Sequence, residues 1–106
     1  TTTGRRSGLP RTVPLLRLRD GDDVVIVASQ GGMPRHPDWY FNIVANPAVN
    51  IEDFGDDFDA IATIADADTR ARLWPRLVDM YPGFAMYQAR AGREIPVVVC
   101  RRQEAS

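Results

Sequence analysis

Lysine is absent from this 106-residue chain; all thirteen of its basic residues are arginine. Every fixed cation is therefore a planar, permanently charged fork, suited to bidentate contact with carboxylate or phosphate. Such uniform usage is partly compositional, so it singles out no one arginine. Cysteine is nearly absent: Cys100 stands alone, which excludes an internal disulfide and fits a reducing compartment. Histidine is represented only by His36, and one His and one Cys far apart give no ligand-spaced cluster for a metal. No apolar run approaches the roughly 20 residues of a membrane-spanning helix, and no stretch reads as a signal peptide. Phosphate-loop and dinucleotide fingerprints are missing, because Gly31-Gly32 lacks the required spacing. Net charge is −1 at pH 7, so no global field favours nucleic acid. The first residues are Thr1-Thr2-Thr3 rather than methionine. That β-prone opening leads us to expect a trimmed N-terminus, and it leaves peripheral membrane association of a cytoplasmic protein through upstream residues open.

What is present is a 44% hydrophobic composition, enough for one core, and a length that fits a single domain over residues 1–106. Charge is unevenly spread. Arg5, Arg6, Arg11, Arg17 and Arg19 precede the first acid, whereas Glu52 to Asp59 carries Glu52, Asp53, Asp56, Asp57 and Asp59. Thr1 to Thr3 reads as a strand end and Gly4 to Gly8 as a turn. Arg11 to Leu18 reads as a strand, with Pro14 arguing for an edge or bulge. Asp20-Gly21 is a hairpin signal. Asp23 to Ala28 is near-continuously apolar, which predicts a strand buried on both faces. Pro37 to Ala45 predicts a helix with proline at its start. Val49 to Glu52 and Phe58 to Ile64 alternate as half-buried strands do. Asp66 and Asp68 are candidate caps for a helix over about 69–80. Pro75 predicts a kink in it, or a start near Trp74. A short helix over 84–90 and a last strand over 95–101 follow. The order, β-β-β-α-β-β-α-α-β with short links, predicts an antiparallel barrel with helices laid on it.

Three features carry chemistry. Arg5, Arg6 and Arg11 gather around a flexible turn and match phosphate or carboxylate oxygens, or else form a solvated hairpin tip. The strand ending at Ala28 runs into Ser29-Gln30-Gly31-Gly32 before a helix, which places free backbone N–H groups around a small space. An ordinary strand–loop–helix link is the plain alternative. Tyr81, Phe84 and Tyr87 share one face of a helical turn. That spacing fits core packing or a wall for a planar ring, and tyrosine hydroxyls require polar partners. Ser29, His36 and Asp38 are too close along one loop to make a persuasive triad. His36 reads as a surface or structural residue and Cys100 as core.

Several spaced blocks carry a resemblance. They are Thr1-Thr2-Thr3-Gly4-Arg5-Arg6-Ser7-Gly8, Arg11-Thr12-Val13-Pro14-Leu15, Ala28-Ser29-Gln30-Gly31-Gly32, and His36-Pro37-Asp38-Trp39-Tyr40 with Asn42 and Ala45-Asn46-Pro47. Leu73-Trp74-Pro75, Met80-Tyr81-Pro82-Gly83-Phe84 with Tyr87-Gln88, and Arg93-Glu94-Ile95-Pro96-Val97-Val98 complete the set. In order and across almost the whole chain, this resembles the deazaflavin-dependent nitroreductase family of actinobacteria. The resemblance implies a split β-barrel related to flavin-binding split barrels. It also implies coenzyme F420, a 5-deazaflavin with a phospholactyl and polyglutamate tail, and hydride transfer to a quinone or a nitro-aromatic such as a nitroimidazole. Under it, Arg5, Arg6 and Arg11 match positions that hold phosphate and tail. Val13, Pro14 and Leu15 match the strand against the deazaflavin, and Ala28 and Ser29 the strand end closing over it. Gln30, Gly31, Asp38, Trp39 and Asn42 match the loop and helix edge around the cofactor. Tyr81, Phe84 and Tyr87 match the substrate wall, with Ser29, Tyr81 and Tyr87 the catalytic donors. Family members active on nitro compounds carry Tyr where this chain has Phe84, and often Lys where it has Gln30. Two other classes use the same architecture: an FMN- or haem-binding split barrel, and a non-catalytic deazaflavin carrier.

Overall fold

In the computed structural model, residues 1–29, 32 and 35–103 are described. Ten elements follow in order: β1 (Thr2–Thr3), β2 (Pro10–Arg11), β3 (Leu18–Asp20), β4 (Asp23–Val27), α1 (Asp38–Ala45), β5 (Ala48–Asp53), β6 (Asp56–Ile64), α2 (Ala67–Met80), α3 (Gly83–Ala91) and β7 (Val97–Arg102). All strand pairings are antiparallel. β1 and β2 form a two-stranded ribbon, and the other five strands form one sheet in the order β3-β4-β7-β6-β5.

Alternation along β4 explains the layering. Val24, Ile26 and Ala28 join Trp39 and Ile43 of α1, with Val49, Phe58, Ala60, Ala62, Val98 and Cys100, in one core. Val25 and Val27 point the other way, to Leu73 and Leu77 of α2 and Phe84 and Ala91 of α3. The strand is thus buried on both faces, as its unbroken apolar run predicts. β6 buries Phe58, Ala60 and Ala62 and exposes Asp57, Asp59 and Thr63, the period-2 pattern of a half-buried strand.

The expectation of β strands with flanking helices is met, but the described strands close no barrel: β3 and β5 are the two ends of the sheet order. The long strand expected over Arg11 to Leu18 is not formed. Residues 12–17 have no regular structure and are mostly exposed. Pro14 has no N–H to give a ladder, so pairing is confined to Pro10–Arg11 and Leu18–Asp20. Of the two alternatives at Pro75, a start near Trp74 is not what forms: α2 is one helix from Ala67 and Pro75 lies inside it. Ala71, whose carbonyl loses its partner, and Pro75 are both exposed, so water can serve that carbonyl. Its start is fixed by Asp66, whose carboxylate accepts from the Thr69 N–H at 2.8 Å. That hydrogen bond holds the Asp66 carboxyl below its ordinary pKa.

Candidate functional site

The β1–β2 ribbon is built by its glycines. Gly4 N–H donates to the Leu9 carbonyl and Gly8 N–H to the Gly4 carbonyl, both at 2.8 Å. Gly8 sits at φ +72°, a conformation that costs glycine little. Asn42 of α1 ties this ribbon down. Its Nδ2 donates to Thr2 Oγ1 at 3.2 Å, and its Oδ1 accepts from the Arg5 backbone N–H at 3.1 Å. Asn42 is buried, at 5% exposure, so both partners are needed there. The Arg5 guanidinium stays close to α1, 3.9 Å from the Asp38 carboxylate and 5.1 Å from the Phe41 ring centre.

Between ribbon and helix lies a cavity of about 480 Å³, lined by Gly4, Arg5, Arg6, Arg11, Thr12, Val13, Arg35, Asp38, Trp39 and Asn42. Seven of the sequence-derived cofactor positions (Arg5, Arg6, Arg11, Val13, Asp38, Trp39 and Asn42) therefore converge. Elsewhere in the chain most arginines are engaged. Arg17 and Arg19 pair with Asp53, Arg19 and Arg102 with Asp56, and Arg72 and Arg76 with Asp20. Arg70 pairs with Glu94, and Arg93 is held by backbone carbonyls. By contrast, the guanidiniums of Arg6, Arg11 and Arg35 make no ion pair or hydrogen bond among the described residues; Arg101, which does not line the cavity, is the other such case. Three unengaged forks facing one acid is an electropositive pocket, suited to a ligand with several anionic groups.

A second cavity of about 360 Å³ adjoins it, sharing Val13 and Trp39. Pro14, Leu15, Leu16, Val24, Ile26, Ile43, Val49 and Ile51 contribute apolar wall. Charged and apolar compartments that meet at an indole ring suit an amphipathic molecule, a flat ring carrying an acidic tail.

The remaining positions lie elsewhere. Ala28 is wholly buried at the end of β4, and Ser29 is half-buried after it; neither lines the two cavities. Gln30 and Gly31 lie outside the described residues. Tyr81, Phe84 and Tyr87 pack on the opposite face of the sheet, with α2 and α3. Their rings touch, at centroid distances of 5.0 Å for Tyr81–Phe84 and 6.1 Å for Tyr81–Tyr87. The two tyrosine hydroxyls hydrogen-bond to each other at 3.2 Å, and this contact raises the Tyr81 pKa above its ordinary value. Phe84 is buried, at 4% exposure, beneath them. The loop after β4 bridges the two groups: at Gly32, φ +83°, an added Cβ would stand 3.1 Å from the Tyr87 Cα. Only glycine allows that approach.

Two residues escaped the sequence reading. Arg35 lines the arginine cavity beside Arg6 and Arg11, and its basic character next to the Gly-Gly loop was the available signal. Arg93 donates from Nη2 to the carbonyls of Ala28, Ser29 and Arg35 at 3.1, 3.2 and 3.1 Å, and from Nη1 to His36 Nδ1 at 2.9 Å. No local pattern could show contacts made more than fifty positions away. Because an arginine only donates, His36 Nδ1 is the acceptor and the imidazole is neutral. Burial, then the Arg93 charge, lowers the His36 pKa from its ordinary 6.5. His36 is thus structural, its ring packed at a tilt with its centre 4.3 Å from that of Tyr40.

Fold and site together define a ligand-binding domain: an antiparallel sheet between helices, with a cationic pocket beside an apolar one. Residues 1–102 match the model of the F420H(2)-dependent quinone reductase family, and the chain belongs to that family. It is similar to two proteins of Mycobacterium tuberculosis. It is 43% identical to the F420H(2)-dependent quinone reductase Rv1261c, over 96% of this chain and 70% of that protein. It is 41% identical to Rv3178, over 92% of this chain and 82% of that one. Among solved structures, it is similar to an F420-H2 dependent reductase, FDR-A, with a TM-score of 0.88 and 40% identity over 94% of this chain and 89% of that one. A structure described as a domain-swapped dimer gives the same TM-score and identity, over 94% and 75%. Coenzyme F420 and a quinone acceptor are therefore the cofactor and substrate of the family.

Proposed function

We propose that this chain binds reduced F420 with the anionic tail in the arginine cavity and the deazaflavin along Val13, Pro14, Leu15 and Trp39, and reduces a quinone there. The observation that carries the placement is the set of unengaged guanidiniums, Arg6, Arg11 and Arg35, around one cavity in a chain whose other arginines are largely paired. The chemistry of the donor set fits the group: a phosphate and several carboxylates are what such forks take up. When bound, reduced F420 supplies a hydride. Trp39 and the Val13–Leu15 segment keep water from the ring, and Arg6, Arg11 and Arg35 hold the tail. Asn42 positions rather than binds, because its amide is already engaged with Thr2 and Arg5. Ser29, Tyr81 and Tyr87, the donors expected from the sequence, line neither cavity, and the two tyrosines lie across the sheet from them, so they have no part in this placement. Phe84 supports the two tyrosines from below.

The same reading covers the barrel. The Thr1 amino group donates to the Asn50 carbonyl at 2.6 Å and the Asn50 N–H to the Thr1 carbonyl at 2.9 Å, which sets the β1–β2 ribbon alongside β5. Arg17 and Arg19 hold the β3 end against Asp53 and Asp56 of the β5–β6 turn. We take this curled sheet as a split barrel.

Comparing F420 with its tail-less deazaflavin riboside tests the placement. The native chain is expected to bind F420 about tenfold or more tightly than the riboside. Replacing both Arg6 and Arg11 by Gln should shrink that ratio towards one. A ratio unchanged in the double variant would move the tail out of this cavity.

A further inference from the structure

We infer that Arg93 is a positioning residue for the coenzyme site: its four-way contact sets the β4–α1 loop so that Arg35 is presented to the arginine cavity. This rests on the reading of that cavity given above. Between the end of β4 and the start of α1 the described residues 28, 29 and 35–37 lie in no helix or strand, so their path must be fixed from outside. Arg93 does so from the far end of the sequence. Its Nη2 gathers the carbonyls of Ala28, Ser29 and Arg35 within 3.2 Å, and its Nη1 donates to His36 Nδ1. One fork therefore joins both ends of the loop. A lysine ammonium, a single compact point, cannot reach acceptors that two guanidinium nitrogens divide between them.

Arg93 is itself anchored. Its carbonyl accepts from Gln88 Nε2 at 2.6 Å, while Gln88 Oε1 accepts from Arg70 Nη2 and the Ile95 N–H, both at 2.9 Å. The anchor thus runs from α2, α3 and the approach to β7 into the loop. On the other side, His36 leans on Tyr40 and Phe41 of α1, with ring centres 4.3 and 5.7 Å away. Phe41 in turn lies under the Arg5 guanidinium. Arg93 lines neither of the two cavities, yet the residue whose carbonyl it holds, Arg35, carries one of the unengaged forks. Outer partners that orient metal ligands, a comparable supporting role, are worth about 10- to 100-fold in metal affinity or activity.

A double-mutant cycle on the full chain, read as F420 affinity by fluorescence titration, tests the inference. Arg93→Gln and Arg35→Gln are each expected to raise the dissociation constant about tenfold, and the double variant should be no worse than the worse single one. Leu77→Val in the α2 core serves as a destabilised control: its Tm should fall while F420 affinity stays native, which separates positioning from general loosening. Native affinity in Arg93→Gln, native affinity in Arg35→Gln, or losses that simply multiply in the double variant would each overturn the inference. Should Arg93→Gln fail to fold, Arg93→Lys enters the same cycle under the same criteria. If Arg6→Gln and Arg11→Gln also bind F420 normally, it is the cavity assignment that fails. If those weaken binding and the Arg93 variants do not, only the role of Arg93 fails.

Discussion

Replacing Arg6 or Arg11 by Gln should cost coenzyme affinity and almost no stability, an uncommon combination that follows from the unengaged state of both side chains. Neither guanidinium has a partner among the described residues, and both residues are exposed. Their removal breaks no ion pair or side-chain hydrogen bond among the described residues, so unfolding free energy should stay within about 0.5 kcal/mol of native, as for ordinary surface substitutions. In the complex each fork would face phosphate or carboxylate oxygen. A charge-assisted hydrogen bond is worth about 1.5–3 kcal/mol when sheltered. Exposure on this ribbon brings each contact below that range, to about 1–1.5 kcal/mol. At about 1.4 kcal/mol per factor of ten, each variant loses roughly five- to tenfold in affinity. The double variant loses about fiftyfold if the two act independently. The deficit should shrink as salt rises, because the screening length is about 10 Å at 0.1 M. The assay is a fluorescence titration of F420 at two salt concentrations, with thermal unfolding of the same samples. Unchanged affinity would return these arginines to a solvated hairpin tip. Affinity lost only in step with a falling Tm would mean that they support the ribbon instead.

Asn42→Ala should do the opposite, destabilising the fold by about 2–3 kcal/mol, because it leaves Thr2 Oγ1 and the Arg5 N–H without their buried partner; a denaturant midpoint at the native value would refute this. His36 sets a pH window. Its folded pKa lies below the ordinary 6.5, so the unfolded chain binds the extra proton first. The stability due to the neutral ring is fully present above about pH 6.5 and is lost as pH falls through the lowered folded value. Tm in His36→Gln should therefore fall less between pH 7 and pH 5 than in the native chain, and parallel curves would contradict the assignment.

How much of this was legible in the sequence depended on the range of each interaction. The uninterrupted apolar run of β4 gave its burial on both faces, and the alternation of Phe58, Ala60 and Ala62 gave the inner face of β6, because both are local periodicities. Asp66 was one of two candidate caps, and the hydrogen bond to Thr69 decided between them. The strand expected over Arg11 to Leu18 failed at Pro14, where apolar content suggested pairing that the missing N–H does not support. At Pro75 local propensity lost to packing: Leu73 and Leu77, both 0% exposed, hold the helix to the sheet on either side of the proline. In the site, Arg5, Arg6 and Arg11 were visible as a cluster because one hairpin carries all three. Arg35 and Arg93 were not, since what joins them to the site is tertiary. The tyrosine spacing was correct, yet it could not show that the two hydroxyls meet while Phe84 turns into the core.

Steady-state oxidation of reduced F420 by a quinone bears most directly on the central claim. With the native chain, loss of the reduced coenzyme should be catalysed only when quinone is present. In the Arg6→Gln/Arg11→Gln double variant, KM for the coenzyme should rise by the same factor as its dissociation constant while kcat is largely kept. No quinone-dependent turnover in the native chain, or a double variant with native KM for the coenzyme, would contradict the account.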